Sequence, residues 1–410
     1  MKKMMKWLEE SFQPKMSKFA NNPWIAGIKD TVNQIMPLIF LGSVFCVLTL
    51  PSAIKGFEWF SNFWTPFGWT MSVVGLMMAF LLPMNLMDKF RMRKNRQVAA
   101  IAGMILYGMT ITPQLVTDAS IGFSHSAFGS SGMFISMITG CLVAFVFKMI
   151  GKISFFKEDS ALPDFVRAWF DQMLPIGIIV LVAWVLIDIL GFDLYLAIQS
   201  IFKPLQSVYS TIWGFTLMNF ICMFLYSMGI SGWILTPITT PVLLANIESN
   251  IAQGTNFFAT SSWDYAYLKI GGLACTLSLV LFMVILSKSK KLKALGRATL
   301  VPSIFNINEP VVFGSIVFNP LLMVPMWINA IVAPVLAWLL TVVIPIGVVP
   351  NIVFNLWYLP YPFTTWLATS GDFMSIFVML IVFVVTALVW YPFFKVYDRQ
   401  CLKEELEAEK

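Results

Sequence analysis

A carboxylate and several amides stand together in the stretch SIFNINEPVVFGSIVFNP, residues 303–320, which is otherwise largely apolar. Glu309 follows Asn306 and Asn308 closely, and Asn319 adds a third amide. A carboxylate accepts hydrogen bonds from hydroxyl groups, whereas an amide both donates and accepts them. No second acid or histidine lies near Glu309 in the sequence, which argues against a metal site. The stretch is therefore typical of a binding site for a neutral, polyhydroxylated ligand.

The apolar setting of Glu309 favours a role in function. An acidic side chain at the centre of a membrane-spanning helix costs about 2.5–3.5 kcal/mol on insertion scales, so such residues usually face a cavity. Pro302, Pro310 and Pro320 interrupt the helix and free backbone groups that must be buried in protein or line a cavity. The alternative is a purely structural ion pair with a basic residue of the segment 288–297. The two interpretations differ in whether Glu309 has a basic partner in the folded chain.

The composition indicates an integral membrane protein. Of the 410 residues, 58% are hydrophobic and 12% are charged, and the mean hydropathy is +0.80. Soluble domains carry about 25% charged residues. Although the net charge is +6, lysine and arginine occur in short groups between apolar segments, which argues against nucleic-acid binding. The hydrophobic composition predicts lipid as a partner. The five cysteines show no metal-ligand spacing, and neither a metal nor a cofactor is expected.

Length and hydropathy predict about ten membrane-spanning helices, since each must cross hydrocarbon with about 17–25 apolar residues. The expected bounds are 31–51, 69–86, 98–115, 127–150, 174–190, 214–226, 233–247, 271–286, 321–344 and 373–393. Basic groups precede the first span and follow the second, fourth, eighth and tenth, among them DKFRMRKNR and KSKKLKALGR. These spans place all of these clusters of basic residues on one side, and cytoplasmic loops are enriched in basic residues. Both termini are therefore expected in the cytoplasm.

Three further segments are neither simple spans nor ordinary loops. Residues 193–213 mix apolar and polar side chains at helical spacing, which is typical of an interfacial amphipathic helix. Residues 299–320 and 348–372 are rich in proline, too polar to span simply and too apolar for water. One precedes and the other follows the ninth predicted span, and paired interrupted segments are the best sequence pointer to a transporter's binding site. Both are predicted to be re-entrant hairpins.

Several motifs resemble one family of bacterial permeases. FNINEPVVFG with FNPLL is similar to the signature of the lactose/cellobiose/diacetylchitobiose group of phosphotransferase-system (PTS) permeases, the enzyme IIC components. The motifs IMPLIFLGSVF, GSSGMFISMI, DSALPDFVRAWFDQMLP, KPLQSVYSTIWG, GGLACTL and ATSGDF follow the family's order and spacing nearly end to end. The resemblance implies an all-α homodimer in the bacterial cytoplasmic membrane that imports a sugar, a disaccharide by family precedent. A separate phosphocysteine protein, enzyme IIB, charged through enzyme IIA, would phosphorylate that sugar. No cysteine lies in a soluble α/β domain, so the membrane component alone is expected.

The resemblance also implies roles for individual residues. The family typically reads W-F-F-G-I-H-G where this chain reads YSMGISG, so Ser231 replaces a histidine and Tyr226 replaces a tryptophan. In the family, that histidine and the motif glutamate, here Glu309, lie at the bound sugar. Trp357 aligns with a family tryptophan, and it would either stack on a sugar ring or anchor the chain at the membrane interface. The expected sugar-binding residues are Glu309, Asn308, Ser231, Tyr226 and Trp357, and Glu309 is also the candidate catalytic base.

The expected organisation has three parts, and two rival functions stay open. Residues 1–190 would form the N-terminal helices and the dimer interface, 191–213 an amphipathic linker helix, and 214–410 the substrate-binding and transport domain. A membrane-bound enzyme is one rival, but the spans contain no DxxxD pair for metal, and one histidine cannot supply paired haem ligands. The other rival is a sugar sensor or facilitator that has lost phosphotransfer, which replacement of the family histidine by serine would allow.

Overall fold

The fold is described from a computed structural model for residues 10–11, 13–53, 63–111, 115–116, 121–123, 125–129, 132–156, 163–230 and 235–408. These residues are mostly helical, and the strands among them are β1 (Leu115–Val116) and β2 (Ile121–Gly122), an antiparallel pair. The all-α fold class is therefore confirmed. The helices are α1 (Gln13–Ala20), α2 (Pro23–Thr49), α3 (Trp64–Met71), α4 (Val74–Lys89), α5 (Arg96–Thr110), α6 (His125–Phe128), α7 (Met133–Ile150), α8 (Asp164–Trp184), α9 (Leu194–Tyr209), α10 (Ile212–Ser227), α11 (Thr236–Gln253), α12 (Ser261–Tyr267), α13 (Leu277–Ile285), α14 (Lys290–Ile304), α15 (Glu309–Val311), α16 (Pro320–Trp338), α17 (Phe363–Ala368) and α18 (Phe373–Ala408).

Helices α2, α4, α5 and α7 pack together in the N-terminal half. Met78, Leu82 and Leu86 recur every fourth residue along α4, and all three are fully buried in this core because that spacing keeps them on one helix face. Helices α4 and α5 approach closely at Gly103, where an added Cβ would lie 2.2 Å from the carbonyl oxygen of Ala79. Such close approach is what small residues permit between membrane helices.

A second bundle in the C-terminal half consists of α10, α13, α14, α16 and α18. Met323 and Met326 of α16 pack in its core with Trp390 and Phe394 of α18. The Trp390 indole Nε1 donates to the carbonyl oxygen of Ala274 at 3.1 Å, so this buried tryptophan also satisfies its polar atom. This bundle supports the two interrupted segments that were predicted on either side of α16.

The described residues contain five helices long and apolar enough to cross a membrane, or six if the bent pair α9 and α10 is one span. Helices α9 and α10 meet at 88°, so the segment predicted as an interfacial helix lies nearly at right angles to the helix that follows it. The ten-span count, the interfacial position and the three-part division of the chain stay predictions. The helix found within the predicted span 98–115 is shorter than expected at its C-terminal end, since α5 ends at Thr110 and Leu115 belongs to β1.

The predicted span 271–286 is not one continuous helix. Gly271, Gly272, Ala274 and Cys275 all have positive φ, between 53° and 94°. Those conformations interrupt a right-handed helix, so α13 begins only at Leu277. The irregular backbone before α13 turns the chain past the segment that carries Asn308.

Both segments predicted as hairpins are interrupted, as their prolines indicated. In the first, α14 ends at Ile304, Asn306 takes a φ of 61°, and Phe318 takes a φ of 55° before α16 begins. The second, residues 348–372, has little regular structure apart from α17. Whether the two segments enter and leave the membrane on one side stays a prediction.

Candidate functional site

A cavity of about 320 Å³ lies where α10, α11 and α12 meet the two interrupted segments, with Met36 and Ile39 of α2 closing one side. This volume is within the range of about 300–1,000 Å³ typical of small-molecule sites. Its lining combines apolar side chains and the indole of Trp357 with many hydroxyl, amide and charged groups, namely those of Tyr209, Asn219, Tyr226, Thr236, Thr239, Thr240, Ser261, Asp264, Tyr265, Lys269, Asn306, Asn308, Glu309 and Asn355.

Four of the five side chains predicted to bind a sugar line this one cavity. Tyr226 comes from the end of α10, Asn308 and Glu309 from the first interrupted segment, and Trp357 from the second. The fifth, Ser231, lies outside the described residues. The structure thus brings together groups that are more than a hundred positions apart in sequence, although the role of each stays a prediction.

Glu309 begins the short helix α15 and is exposed at the cavity wall. Its carboxylate forms no ion pair or hydrogen bond with any residue that the structure describes, the basic residues of 288–297 included. The alternative interpretation, a structural ion pair between Glu309 and a basic residue of 288–297, is therefore not what the structure shows. An unpaired carboxylate keeps all its acceptor positions for a ligand.

Asn306 ties the two interrupted segments together. Its Oδ1 accepts from the backbone N–H of Gly271 at 2.9 Å, and its Nδ2 donates to the carbonyl oxygens of Trp357 at 2.8 Å and Leu359 at 2.7 Å. Asparagine tolerates the left-handed backbone conformation better than most residues, which explains its place at a φ of 61°. Asn306 therefore positions the backbone that carries Trp357.

Asn308 is held by a second set of hydrogen bonds. Its Nδ2 donates to the carbonyl oxygen of Leu273 at 2.9 Å and to Thr276 Oγ1 at 3.1 Å, while the Tyr226 hydroxyl donates to its Oδ1 at 3.3 Å. Gly272 allows this contact, because its φ is +94° and an added Cβ would lie 2.5 Å from Asn308 Cγ. Both amide protons of Asn308 are thus committed to the protein, and only its oxygen keeps spare capacity for a ligand.

Trp357 presents an indole to the cavity from the second interrupted segment. Its ring packs edge-on against Tyr358 at a centroid distance of 5.8 Å, and its carbonyl is fixed by Asn306. Its buried Nε1 has no hydrogen-bond partner among the described residues. The side chain can therefore offer both an aromatic face and a donor to a bound ligand.

The sequence interpretation missed an ion pair in the cavity wall. Lys269 Nζ lies 3.1 Å from Asp264 Oδ2, and the two side chains are 19% and 15% exposed. Both residues occur in SSWDYAYLKIGGLACTL, where two charges within an apolar run of a sparsely charged chain were the available signal. The predicted spans 233–247 and 271–286 place both residues in the loop between them, whereas in the structure α12 lies against the cavity.

An α-helical membrane fold that encloses a polar cavity between interrupted segments is typical of membrane transporters, and the protein is of this class. The family model "Phosphotransferase system, EIIC" matches residues 29–334. The chain belongs to this family, the sugar permease components of the phosphotransferase system. The resemblance inferred from the motifs is thereby confirmed, and the sensor or facilitator alternative is not favoured.

Similar proteins agree with this assignment. The chain is 29% identical to the putative permease IIC component YwbA of Bacillus subtilis, over 98% of this chain and 97% of that protein. It is 28% identical to the cellobiose-specific EIIC component of Geobacillus stearothermophilus, over 99% and 96%, and 27% identical to the lactose-specific EIICB component of Staphylococcus epidermidis, over 99% and 72%. The crystal structure of ChbC, the IIC component of an N,N'-diacetylchitobiose-specific system, has the same fold, with a TM-score of 0.86 and 24% identity over 97% of this chain and 99% of that one.

Proposed function

We propose that the cavity binds a neutral disaccharide, which the chain carries across the bacterial cytoplasmic membrane for phosphorylation by a separate enzyme IIB. The observation that carries this proposal is the Glu309 carboxylate, which has no partner among the described residues and lies in a cavity that also holds amide, hydroxyl and aromatic groups. The names of the similar proteins support the sugar class, since lactose, cellobiose and diacetylchitobiose are all disaccharides. The fused EIICB relatives support a IIB partner, which IIA would recharge.

The charges of the cavity favour a neutral sugar over an acidic one. Among the described lining residues, Glu309 and Asp264 are acidic and Lys269 is basic. Lys269 is already paired with Asp264, so Glu309 leaves the wall with an excess negative charge. A carboxylate or phosphate on the ligand would be repelled by that charge in a medium of low dielectric.

Glu309 is proposed both to bind the sugar and to act as the base. A sugar hydroxyl attacks the phosphorus of the IIB phosphocysteine, a new O–P bond forms, and the S–P bond breaks to release the cysteine thiolate. The hydroxyl must lose its proton in this step, and a carboxylate at hydrogen-bond distance can accept it. Ser231 would orient the sugar without carrying a proton, Asn308 Oδ1 would accept from a neighbouring hydroxyl, and Trp357 would stack on a ring face.

The proposed assembly is a homodimer with both termini in the cytoplasm. Helix α8 supports an interface in the N-terminal half, because its Phe165, Trp169 and Met173, spaced four residues apart on one face, are exposed on the isolated chain. An apolar face of this kind must be covered by lipid or by a second protomer. The basic groups on one side of the predicted spans support the orientation.

The Glu309→Gln variant tests the binding role. Titration of purified protein in detergent with cellobiose should show affinity about tenfold weaker or worse, because a hydrogen bond to a charged group contributes about 1.5–3 kcal/mol. The matched control is Glu407→Gln, an exposed glutamate near the end of α18, which should bind as the parent does. Equal affinity in Glu309→Gln and the parent would remove Glu309 from the binding site.

The base role needs a separate assay. Sugar-phosphate formation is measured in proteoliposomes with purified phosphorylated IIB at saturating cellobiose, so that weaker binding no longer limits the rate. Glu309→Gln should then turn over slowly, whereas Ser231→Ala should recover most of its rate. Full turnover by Glu309→Gln would leave Glu309 as a binding residue only.

A further inference from the structure

The cavity contains a second cluster of polar groups that the mechanism above does not use. Asp264 lies in α12 and Lys269 follows it, and their side chains meet at 3.1 Å in the cavity wall. An ammonium group has three donors, and the Asp264 carboxylate is the acceptor that Lys269 Nζ finds among the described residues. Desolvating two ions is costly unless further hydrogen bonds satisfy them, so a structural role alone is a poor reason for this pair.

Three polar atoms of cavity-lining residues are buried without a hydrogen-bond partner among the described residues, namely Asp264 Oδ1, Ser261 Oγ and Asn355 Nδ2. Ser261 is 7% exposed and Asn355 is 3% exposed, and both line the cavity. Native proteins leave few buried polar atoms unsatisfied, and each calls for an explanation. Here one acceptor, one amide donor and one hydroxyl belong to residues that line a single cavity, which points to a ligand that can both donate and accept.

The wall that carries these atoms is held rigidly. Thr260 caps the start of α12, accepting from the N–H of Trp263 at 3.1 Å. The hydroxyl of Ser262 donates to the carbonyl oxygen of Ile352 at 2.6 Å and accepts from the N–H of Phe354 at 2.9 Å. These bonds fix α12 to the irregular segment that leads into Asn355. The donors and acceptors of Ser261, Asp264 and Asn355 are therefore arranged before a ligand binds.

We propose that Asp264, Lys269, Ser261 and Asn355 form a second sugar subsite, separate from the Glu309 carboxylate, that binds two adjacent hydroxyl groups. A sugar hydroxyl donates one hydrogen bond and accepts others. One hydroxyl of the pair accepts from the Lys269 ammonium, and its neighbour donates to the Asp264 carboxylate and accepts from the Asn355 amide. Charged donors and acceptors make the stronger hydrogen bonds, so this subsite contributes affinity and selects ligands with adjacent hydroxyls. The inference rests on the proposed sugar-binding function.

The test replaces the ion pair by apolar side chains of similar length, in the double variant Asp264→Leu with Lys269→Met. Removing both charges together avoids stranding one ion, and such replacements of buried pairs are often neutral for stability. Cellobiose is titrated into the purified full-length protein in detergent, and thermal unfolding is measured on the same samples. The double variant should keep the parent's melting temperature and bind cellobiose about tenfold more weakly or worse. Parental affinity in the folded double variant would overturn the subsite.

A second variant keeps the proposal falsifiable if the double variant does not fold. Asn355→Leu removes a buried amide whose Nδ2 has no partner among the described residues, so stability should hold while cellobiose binds several-fold more weakly. Unchanged affinity in this variant overturns the role of Asn355 and, with it, the subsite as stated.

The parent and Glu309→Gln, titrated in parallel, separate the two proposals. If the folded parent binds none of cellobiose, lactose and diacetylchitobiose, the proposed function and the subsite both fall. If the parent binds, Glu309→Gln is weakened, and the double variant matches the parent, only the subsite falls.

Discussion

Replacement of Asn306 by alanine should release the two interrupted segments from each other. Asn306 is 6% exposed, and its side chain binds the backbone N–H of Gly271 and the carbonyl oxygens of Trp357 and Leu359. Alanine can make none of these bonds. It would also have to adopt the φ of 61° that Asn306 holds. The change therefore removes a polar connection and strains the backbone at one position.

The magnitude follows from those contacts. Gly271 is buried, and a buried donor left without a partner costs about 1–3 kcal/mol, while each partly buried bond contributes about 0.5–1.5 kcal/mol. The left-handed conformation costs alanine about 1–2 kcal/mol more. Taken together, the free energy of unfolding should fall by about 3 kcal/mol or more. Affinity for sugar should fall as well, because the carbonyl of Trp357 loses its anchor.

Thermal unfolding in detergent and titration with cellobiose measure the two effects. Asn306→Gly is the matched control, because glycine accepts positive φ freely but lacks the amide. It should recover only the backbone part of the loss, about 1–2 kcal/mol, and remain weak in binding. The reasoning is refuted if Asn306→Ala melts within about 1 °C of the parent and binds cellobiose equally well.

Two further predictions concern the backbone at the site and the orientation of the chain. Gly272→Ala should displace the Asn308 side chain, lower the melting temperature and weaken cellobiose binding, because the new Cβ would lie 2.5 Å from Asn308 Cγ at a φ of +94°. The control is Gly177→Ala, where nothing lies within 4 Å of the new Cβ. Equal behaviour of the two variants would contradict the packing argument. Single cysteines at positions Asn95 and Lys291, in a cysteine-free background, should resist an impermeant thiol reagent added to intact cells. The reason is that the clusters of basic residues around these positions are expected in the cytoplasm. Labelling of either cysteine from outside would overturn the span assignment.

The chain's composition alone determined its class of environment. A charged fraction of 12% and a mean hydropathy of +0.80 are incompatible with an ordinary soluble domain, because apolar surface on this scale requires lipid or protein around it. Glu309 could also be singled out from sequence, since an acid within an apolar stretch is costly wherever the chain folds. These are properties of local composition, and they hold whatever the tertiary arrangement.

Only the tertiary structure decided which groups share the cavity with Glu309. Asp264 and Lys269 lie about forty positions earlier in the chain and Asn355 about forty-five later, yet they line the same cavity. Nothing in hydropathy or spacing reports such contacts, because they depend on how α12 packs against the second interrupted segment. The same limit applied to Asn306 and Asn308, which resembled ligand-binding amides in sequence. In the folded chain, hydrogen bonds to distant backbone carbonyls occupy their donors, because burial of those carbonyls requires a partner that only the fold could supply.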